Sequence, residues 1–351
     1  MGVNPEINIA GRKIGREHPP FIVAEMSANH RGDLDVALAL IDAAAEAGAD
    51  AVKLQTYTAD TITIDADRPE FKITEGLWRG YTLHKLYQEA HMPWDWHEAL
   101  FARGRKRGVI VFSTPFDATA VALLELLGAP AYKVASFELI DLPLIETMAR
   151  CGKPMIMATG NASLAEIGEA VAAARKAGAR EIALLHAVSG YPTPIEQANV
   201  RTIPHLAEAF GVTTGLSDHT LGVAAAIAAV AQGASIIEKH VTLSRADGGH
   251  DSAFSLEPHE LKRLVEDCRG AWRALGRVTY ERQESEQKTA AHRRSLYVVR
   301  PVAKGELLTP AHVRSIRPGN GLAPKFLPEV LGRMAARDLR FGEPLGWEML
   351  A

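Results

Sequence analysis

Two stretches decide the fold: Gly215-Leu216-Ser217-Asp218-His219-Thr220 and Ile236-Ile237-Glu238-Lys239-His240. Each is a short apolar run that ends in a histidine. Between them, from roughly Gly222 to Gly233, lies one alanine-rich segment with the pattern of a helix. Strand, helix, strand is the signature of a parallel βαβ unit, whose sequential strands usually lie side by side, about 4.8 Å apart. Two imidazoles at the same ends of such neighbours can hold one divalent metal in adjacent coordination positions. The competing reading is a pair of ordinary structural histidines, since the chain has 13 His. The company they keep decides between the two.

The same rhythm fills the chain on either side. Apolar runs at Phe21–Ala24, Ala51–Leu54, Val109–Phe112, Ala131–Val134, Met155–Met157, Ile182–His186, Thr213–Leu216 and Ser235–Ile237 read as strands. Amphipathic segments such as Leu34–Ala47, Ala118–Leu127, Ser163–Ala177 and Ile203–Phe210 read as helices. Several end on glycine before the next strand (Ala47-Gly48-Ala49, Arg107-Gly108-Val109, Ala177-Gly178-Ala179, Gln232-Gly233-Ala234), the usual left-handed helix stop. Eight βα units over about 250 residues are the size of an α/β TIM barrel, (β/α)8. A doubly wound open sheet is the alternative, but no Gly-x-Gly-x-x-Gly follows the first strand. Residues 1–18 read as an opening hairpin that closes the barrel base.

Polar and ionisable residues cluster where the strands end: Glu25; Lys53 and Gln55; Ser113 and Thr114; Lys133 and Ser136; Thr159; Ser189; Ser217 and His219; Lys239 and His240. A single lysine after a strand is often only the first solvated residue. In a barrel, however, all eight ends converge on one mouth, where active sites are built. Lysines and hydroxyls there suit phosphate or carboxylate, and histidines suit a metal. One connection, from Thr56 to Trp94, is unusually long and carries Phe71, Trp78 and Tyr81. Such length in a compact domain is usually functional or disordered, and the aromatic content favours a lid or specificity loop.

The composition turns polar from Arg277 to His292. We therefore expect a catalytic barrel over 1–276, a linker over 277–292 and a small domain over 293–351. A unit so small is marginal alone and needs a barrel to dock on. A formal net charge of -3 argues against a nucleic-acid partner. No apolar run reaches the roughly 20 residues of a membrane span. The first residues lack the blocks of a signal peptide, and the two cysteines, Cys151 and Cys268, stand far apart outside any CxxC. Both observations fit a reducing cytoplasm.

As an ordered set, the motifs Glu25-Met26-Ser27-Ala28-Asn29-His30, Val52-Lys53-Leu54-Gln55, Ser113-Thr114-Pro115-Phe116-Asp117, Tyr132-Lys133-Val134-Ala135-Ser136, Gly215–Thr220 and Glu238-Lys239-His240 resemble the sialic acid synthase family. Its members condense phosphoenolpyruvate with an N-acetylated sugar. The resemblance spans nearly the whole chain, including a C-terminal antifreeze-like (SAF) domain. The first motif, Ala135-Ser136-Phe137-Glu138 and Gly76–Leu83 look most like the family's pseudaminic acid synthases. The resemblance implies His219 and His240 as ligands of a divalent metal; a shell of histidine and water suits Mn2+ better than Mg2+, with Co2+ as a further candidate. It implies Lys53, Lys133, Ser136, Ser217 and Thr114 as phosphoenolpyruvate contacts, and Glu25, Gln55 and Tyr191 as sugar contacts. It makes Asp251 a mouth acid and places Arg317, from the partner of a domain-swapped homodimer, on the acetamido group. Ala158, where the family often has the serine of a Ser-Thr-Gly run, and Ser189, where its sialic members often have asparagine, depart from the pattern near the expected phosphate, with Thr159 beside them to compensate.

The implied reaction joins phosphoenolpyruvate to 2,4-diacetamido-2,4,6-trideoxy-altrose, giving pseudaminic acid and phosphate. Its methyl-bearing sugar calls for an apolar pocket, with Phe137, Met26 and Trp78 as candidates. Two neighbouring lysines are expected to depress each other's pKa until substrate binds. Rival readings are N-acetylneuraminate or legionaminic acid synthesis, a lysine Schiff-base aldolase on the same barrel, and a non-catalytic sugar-binding protein.

Overall fold

The computed structural model describes residues 5–351. They divide into two compact units, one ending at Gly276 and one starting at Arg277. The first opens with a hairpin, β1 (Ile7–Ile9) and β2 (Arg12–Ile14), paired Ile7 to Ile14. Eight parallel strands follow: β3 (Phe21–Glu25), β4 (Ala51–Thr56), β5 (Ile110–Pro115), β6 (Tyr132–Val134), β7 (Met155–Ala158), β8 (Ile182–Ala187), β9 (Thr213–Asp218) and β10 (Ile236–His240). They pair in chain order, and β10 returns to β3 to close the barrel. The expected TIM-type fold is the one observed.

Local chemistry sets the helices between them. Leu34–Ala47 starts where the Asp33 carboxylate accepts the backbone N–H of Asp35 and Val36, at 2.8 and 3.3 Å. It stops at Gly48, whose φ of 83° suits glycine. Ala37, Leu40, Ile41, Ala44 and Ala47 make its buried stripe.

Strand side chains alternate between two cores. One set (Ile22, Val52, Leu54, Leu216, Ile237) packs outward under the helices. The other (Phe21, Val23, Phe112, Ile156, Leu185, Ile236) fills the barrel interior, together with Ile7, Ile9 and Ile14 of the hairpin. The hairpin thus plugs the base, as its sequence suggests. Gly215 has to be glycine: a Cβ there would come within 2.3 Å of the Ile236 carbonyl oxygen and 2.7 Å of Leu185.

Strands β9 and β10 run two and three residues beyond their expected ends. Glu238 pairs with Ser217 and Lys239 with Asp218 on one side, and His240 pairs with Glu25 on the other. Backbone pairing is indifferent to side-chain polarity where the side chains find partners. Residues expected at solvated exits therefore lie inside the sheet, and Lys239 is among the most deeply buried side chains of the chain.

The long connection is ordered by a helix at Leu83–Ala90 and a bridge between Lys72 and Thr82. In the small unit, β11 (Ser295–Val298) pairs antiparallel with β12 (Val313–Ile316) over a core of Leu296, Val298, Val313, Val330, Leu339 and Leu345. Arg317 follows β12 directly and is exposed. No helix among the described residues is long and apolar enough to cross a membrane.

Candidate active site

The inward face of each strand is apolar near the base and becomes polar at the C-terminal end without changing direction. Above Val23, Ala51, Phe112, Ala131 and Ile236, two residues along each strand, stand Glu25, Lys53, Thr114, Lys133 and Glu238. All five are at most 4% exposed. Lys53 Nζ lies 2.7 Å from Glu25 Oε2 and donates to Thr114 Oγ1 at 3.2 Å. Lys133 Nζ donates to Glu238 Oε1 at 3.0 Å. The same oxygen lies 3.6 Å from Lys53 Nζ and accepts the Ser217 hydroxyl at 3.3 Å.

Glu238 is the residue that the sequence reading missed. It was visible within the Glu-Lys-His motif but received no role. Counting from Ile236 by twos puts it on the inward face with His240, which was signal enough. Its presence also corrects the expectation that two bare lysines depress each other. Burial lowers Lys53, but Glu238 and Glu25 outweigh it, and its pKa rises. Lys133 stays lowered, by burial first and by Lys53 among the charges. Burial would raise Glu238, but Lys133 and Lys53 bring it below the ordinary carboxylate range. Glu25 is pushed up to about 7, by burial first and with Glu238 adding to it. Glu138, just beyond β6, is likewise pushed by burial to about 7, and its Oε2 has no hydrogen-bond partner among the described residues.

A second group lies on the β9–β10 side. His219 and His240 have ring centroids 5.5 Å apart. His219 Nδ1 faces the Val188 carbonyl at 2.8 Å, so it carries the proton and Nε2 keeps a lone pair. His240 is held neutral by burial, with the charges of His219 and Lys53 also opposing its protonation. Its Nδ1 has no hydrogen-bond partner among the described residues and lies 3.9 Å from Asp251 Oδ2. Two imidazoles whose protonation burial opposes, one oriented by a carbonyl behind it, fit the needs of a metal site. No group of three or more potential His, Cys, Asp or Glu ligands occurs among the described residues. Water and substrate would complete the shell.

Hydrogen bonds link the two groups. Gln55 Nε2 donates to Glu25 Oε1 at 2.9 Å and to Ser27 Oγ at 3.1 Å, and Ser27 donates to Asp251. Ser136, Thr159 and Ser189 form another edge. The Gly160 N–H donates to Ser136 Oγ at 3.2 Å, and a Cβ on Gly160 would come within 2.3 Å of Ser189 Oγ and 2.7 Å of Ser136 Oγ. This glycine keeps open a cradle lined by hydroxyls. Thr159 turns its own hydroxyl to the Leu185 carbonyl at 3.3 Å.

Tyr191 packs on His219, Phe254 and Trp78, with centroids 4.6, 5.3 and 5.9 Å away. Trp78 Nε1 donates to the His250 carbonyl at 3.1 Å, which brings the long loop to the mouth. Of the other proposed pocket residues, Met26 is fully buried in the outer core, because it shares the direction of Ile22 and Ala24. Phe137 is 61% exposed. Arg317 belongs to the second unit, which starts at Arg277.

The family model described as NeuB family matches residues 40–280. The chain belongs to the NeuB family. A SAF domain model matches residues 293–351 of this NeuB-family chain. The pseudaminic acid synthase of Helicobacter pylori is 44% identical over 331 residues, covering 93% of this chain and 96% of that protein. The N,N'-diacetyllegionaminic acid synthase of Campylobacter jejuni is 36% identical, covering 92% and 98%. Among solved structures, the N-acetylneuraminic acid (sialic acid) synthetase of Leptospira borgpetersenii superposes with a TM-score of 0.73 at 35% identity, covering 82% of this chain and 95% of that one.

Proposed function

We propose that this chain condenses phosphoenolpyruvate with 2,4-diacetamido-2,4,6-trideoxy-altrose and water, giving pseudaminic acid and phosphate. The observation that carries the reading is the continuous inward face that sets Lys53 and Lys133 beside Glu238 at the same barrel end as His219 and His240. A trianionic enol phosphate next to an aldehyde needs fixed cations on one side and an electrophilic aid on the other.

The lysines take phosphate and carboxylate, exchanging their bonds to Glu238 for bonds to substrate. The hydroxyls of Ser136, Ser189, Thr159, Thr114 and Ser217 would add hydrogen bonds to the phosphate and carboxylate. Carbon 3 of phosphoenolpyruvate attacks the aldehyde carbon of the open sugar, and the carbonyl oxygen takes a proton. Water adds at carbon 2, and the carbon–oxygen bond to phosphate breaks. His219 Nε2 and His240 would hold Mn2+, with Mg2+ or Co2+ as substitutes. When bound, the ion supplies Lewis acidity for an aldehyde oxygen. Glu25 and Gln55 orient a sugar hydroxyl, and Glu25, with its pKa near 7, can hold or release a proton there. Tyr191, Trp78 and Phe254 offer the apolar wall that a methyl-bearing sugar requires. The small unit of a second copy, through Arg317, would cover the acetamido group in a domain-swapped homodimer.

Higher identity to the pseudaminic than to the legionaminic synthase supports the choice of sugar, 44% against 36%. The test is a panel of acetamido sugars with phosphoenolpyruvate and Mn2+, following phosphate release and product mass. The trideoxy-altrose should be turned over fastest. Turnover of N-acetylmannosamine or the legionaminic precursor alone would overturn the choice of sugar. Borohydride trapping of pyruvate on a lysine, insensitive to chelator, would overturn the reaction type.

A further inference from the structure

Asp218 and Lys239 are the residues just before the two histidines, and they are the last directly opposed pair of the β9–β10 ladder. Past them no register pair joins β9 to β10: the chain after β9 turns toward the β8 loop, where Thr193 N–H donates to the His219 carbonyl at 3.0 Å. His240 pairs instead with Glu25 of β3. The β9–β10 ladder itself therefore stops one residue short of the two imidazoles.

Side chains occupy the place of the missing ladder bonds. Lys239 Nζ donates to Asp218 Oδ2 at 2.7 Å and to the Thr220 carbonyl at 2.5 Å. Asp218 Oδ1 accepts the Thr220 N–H at 2.9 Å. The ammonium thus holds the segment on both sides of His219 while its own backbone leads directly into His240. Both side chains point outward, with Leu216 and Ile237, and they are at most 1% exposed. They cannot touch anything in the mouth. An isolated buried ion pair is a weak source of stability, and apolar residues of similar volume often serve as well. Its placement here calls for another role.

We infer that the Asp218–Lys239 pair is a strut that fixes the His219–His240 separation, and so acts as a positioning element for the metal ion. The inference rests on the proposed metal reading. Its test is direct Mn2+ binding, read from the free-ion electron paramagnetic resonance signal, with phosphoenolpyruvate affinity measured in parallel by calorimetry. Asp218→Asn keeps the acceptor for the Thr220 N–H but turns an amide toward Lys239. It should weaken Mn2+ binding by about tenfold or more, the size expected for an outer-shell partner, and leave phosphoenolpyruvate affinity within about twofold, since a factor of ten needs 1.4 kcal/mol. Should that variant fail to fold, Asp218→Asn/Lys239→Met carries no unpaired buried charge and should show the same selective loss. A folded variant with parental Mn2+ affinity overturns the strut, as does an equal loss of both ligands. Parental Mn2+ binding that is unaffected by His219→Ala overturns the metal reading itself, and the strut falls with it.

Discussion

The lower and upper halves of the barrel interior are built on the same strands, face the same way and are equally dry, yet they are held by opposite physics. Below, Phe21, Phe112, Ile156, Leu185 and Ile236 pack with the plug residues, and shape is the only requirement. Above, Glu25, Lys53, Lys133 and Glu238 are buried as deeply and are satisfied mainly by one another. Burying charges is costly, and pairing offsets only part of the cost. The pKa shifts record the residue of that conflict: burial lowers Lys133 and raises Glu25, so each holds its charge less readily in the fold than in water. The lower half is optimised for the folded state, and the upper half carries charges that folding alone does not require.

Replacing Lys133 by methionine tests the upper half. Glu238 Oε1 keeps Lys53 at 3.6 Å and the Ser217 hydroxyl at 3.3 Å. Turnover should fall at least 10²–10³-fold, roughly the loss seen when one preorganised electrostatic group is removed, while the melting temperature changes little. A steady-state assay of phosphate release beside a thermal melt checks both. Loss of folding without a separate loss of turnover per folded molecule would place Lys133 in the structural half.

Phe112→Ala is the complementary change in the lower half. Phe112 is fully buried one layer below Thr114. Its removal leaves a cavity and should cost about 3–5 kcal/mol of stability in urea unfolding, with turnover per folded molecule reduced far less than in Lys133→Met. The two variants together ask whether the halves are separable.

Much of this division could be read from the chain. The eight strands, the glycine stops and the converging ends follow from local pattern, and the barrel follows from their number. The inward face was legible too, by counting in twos. That count would have found Glu238 beside His240 and sent Met26 outward with Ile22 and Ala24. What local pattern cannot supply is distance across the barrel. Lys53 and Lys133 lie on strands that are not neighbours, and only closure brings Glu238 between them. The same holds for Asp251, which reaches the mouth from a loop and meets Ser27, 224 residues earlier in the chain.

Glu25 gives the smallest effect and separates the halves by pH alone. Its carboxyl is raised from 4.5 to about 7 in the fold, chiefly by burial. Between those values the native state binds the proton that the unfolded chain has released, so stability falls as pH rises through this window. The limiting slope is about 1.4 kcal/mol per pH unit, fading above pH 7, where both states are ionised. The lowered histidines act in the opposite sense: burial opposes protonation of His30, His219 and His240 in the fold, which costs stability as pH falls below their ordinary value of 6.5. The comparison that isolates Glu25 is therefore Glu25→Gln against the parent, by urea unfolding at pH 5, 6, 7 and 8. The variant should gain on the parent with each step up to pH 7 and then hold its lead. A constant difference across the series would mean that Glu25 is as ionised in the fold as in water, and that Lys53 alone decides its state.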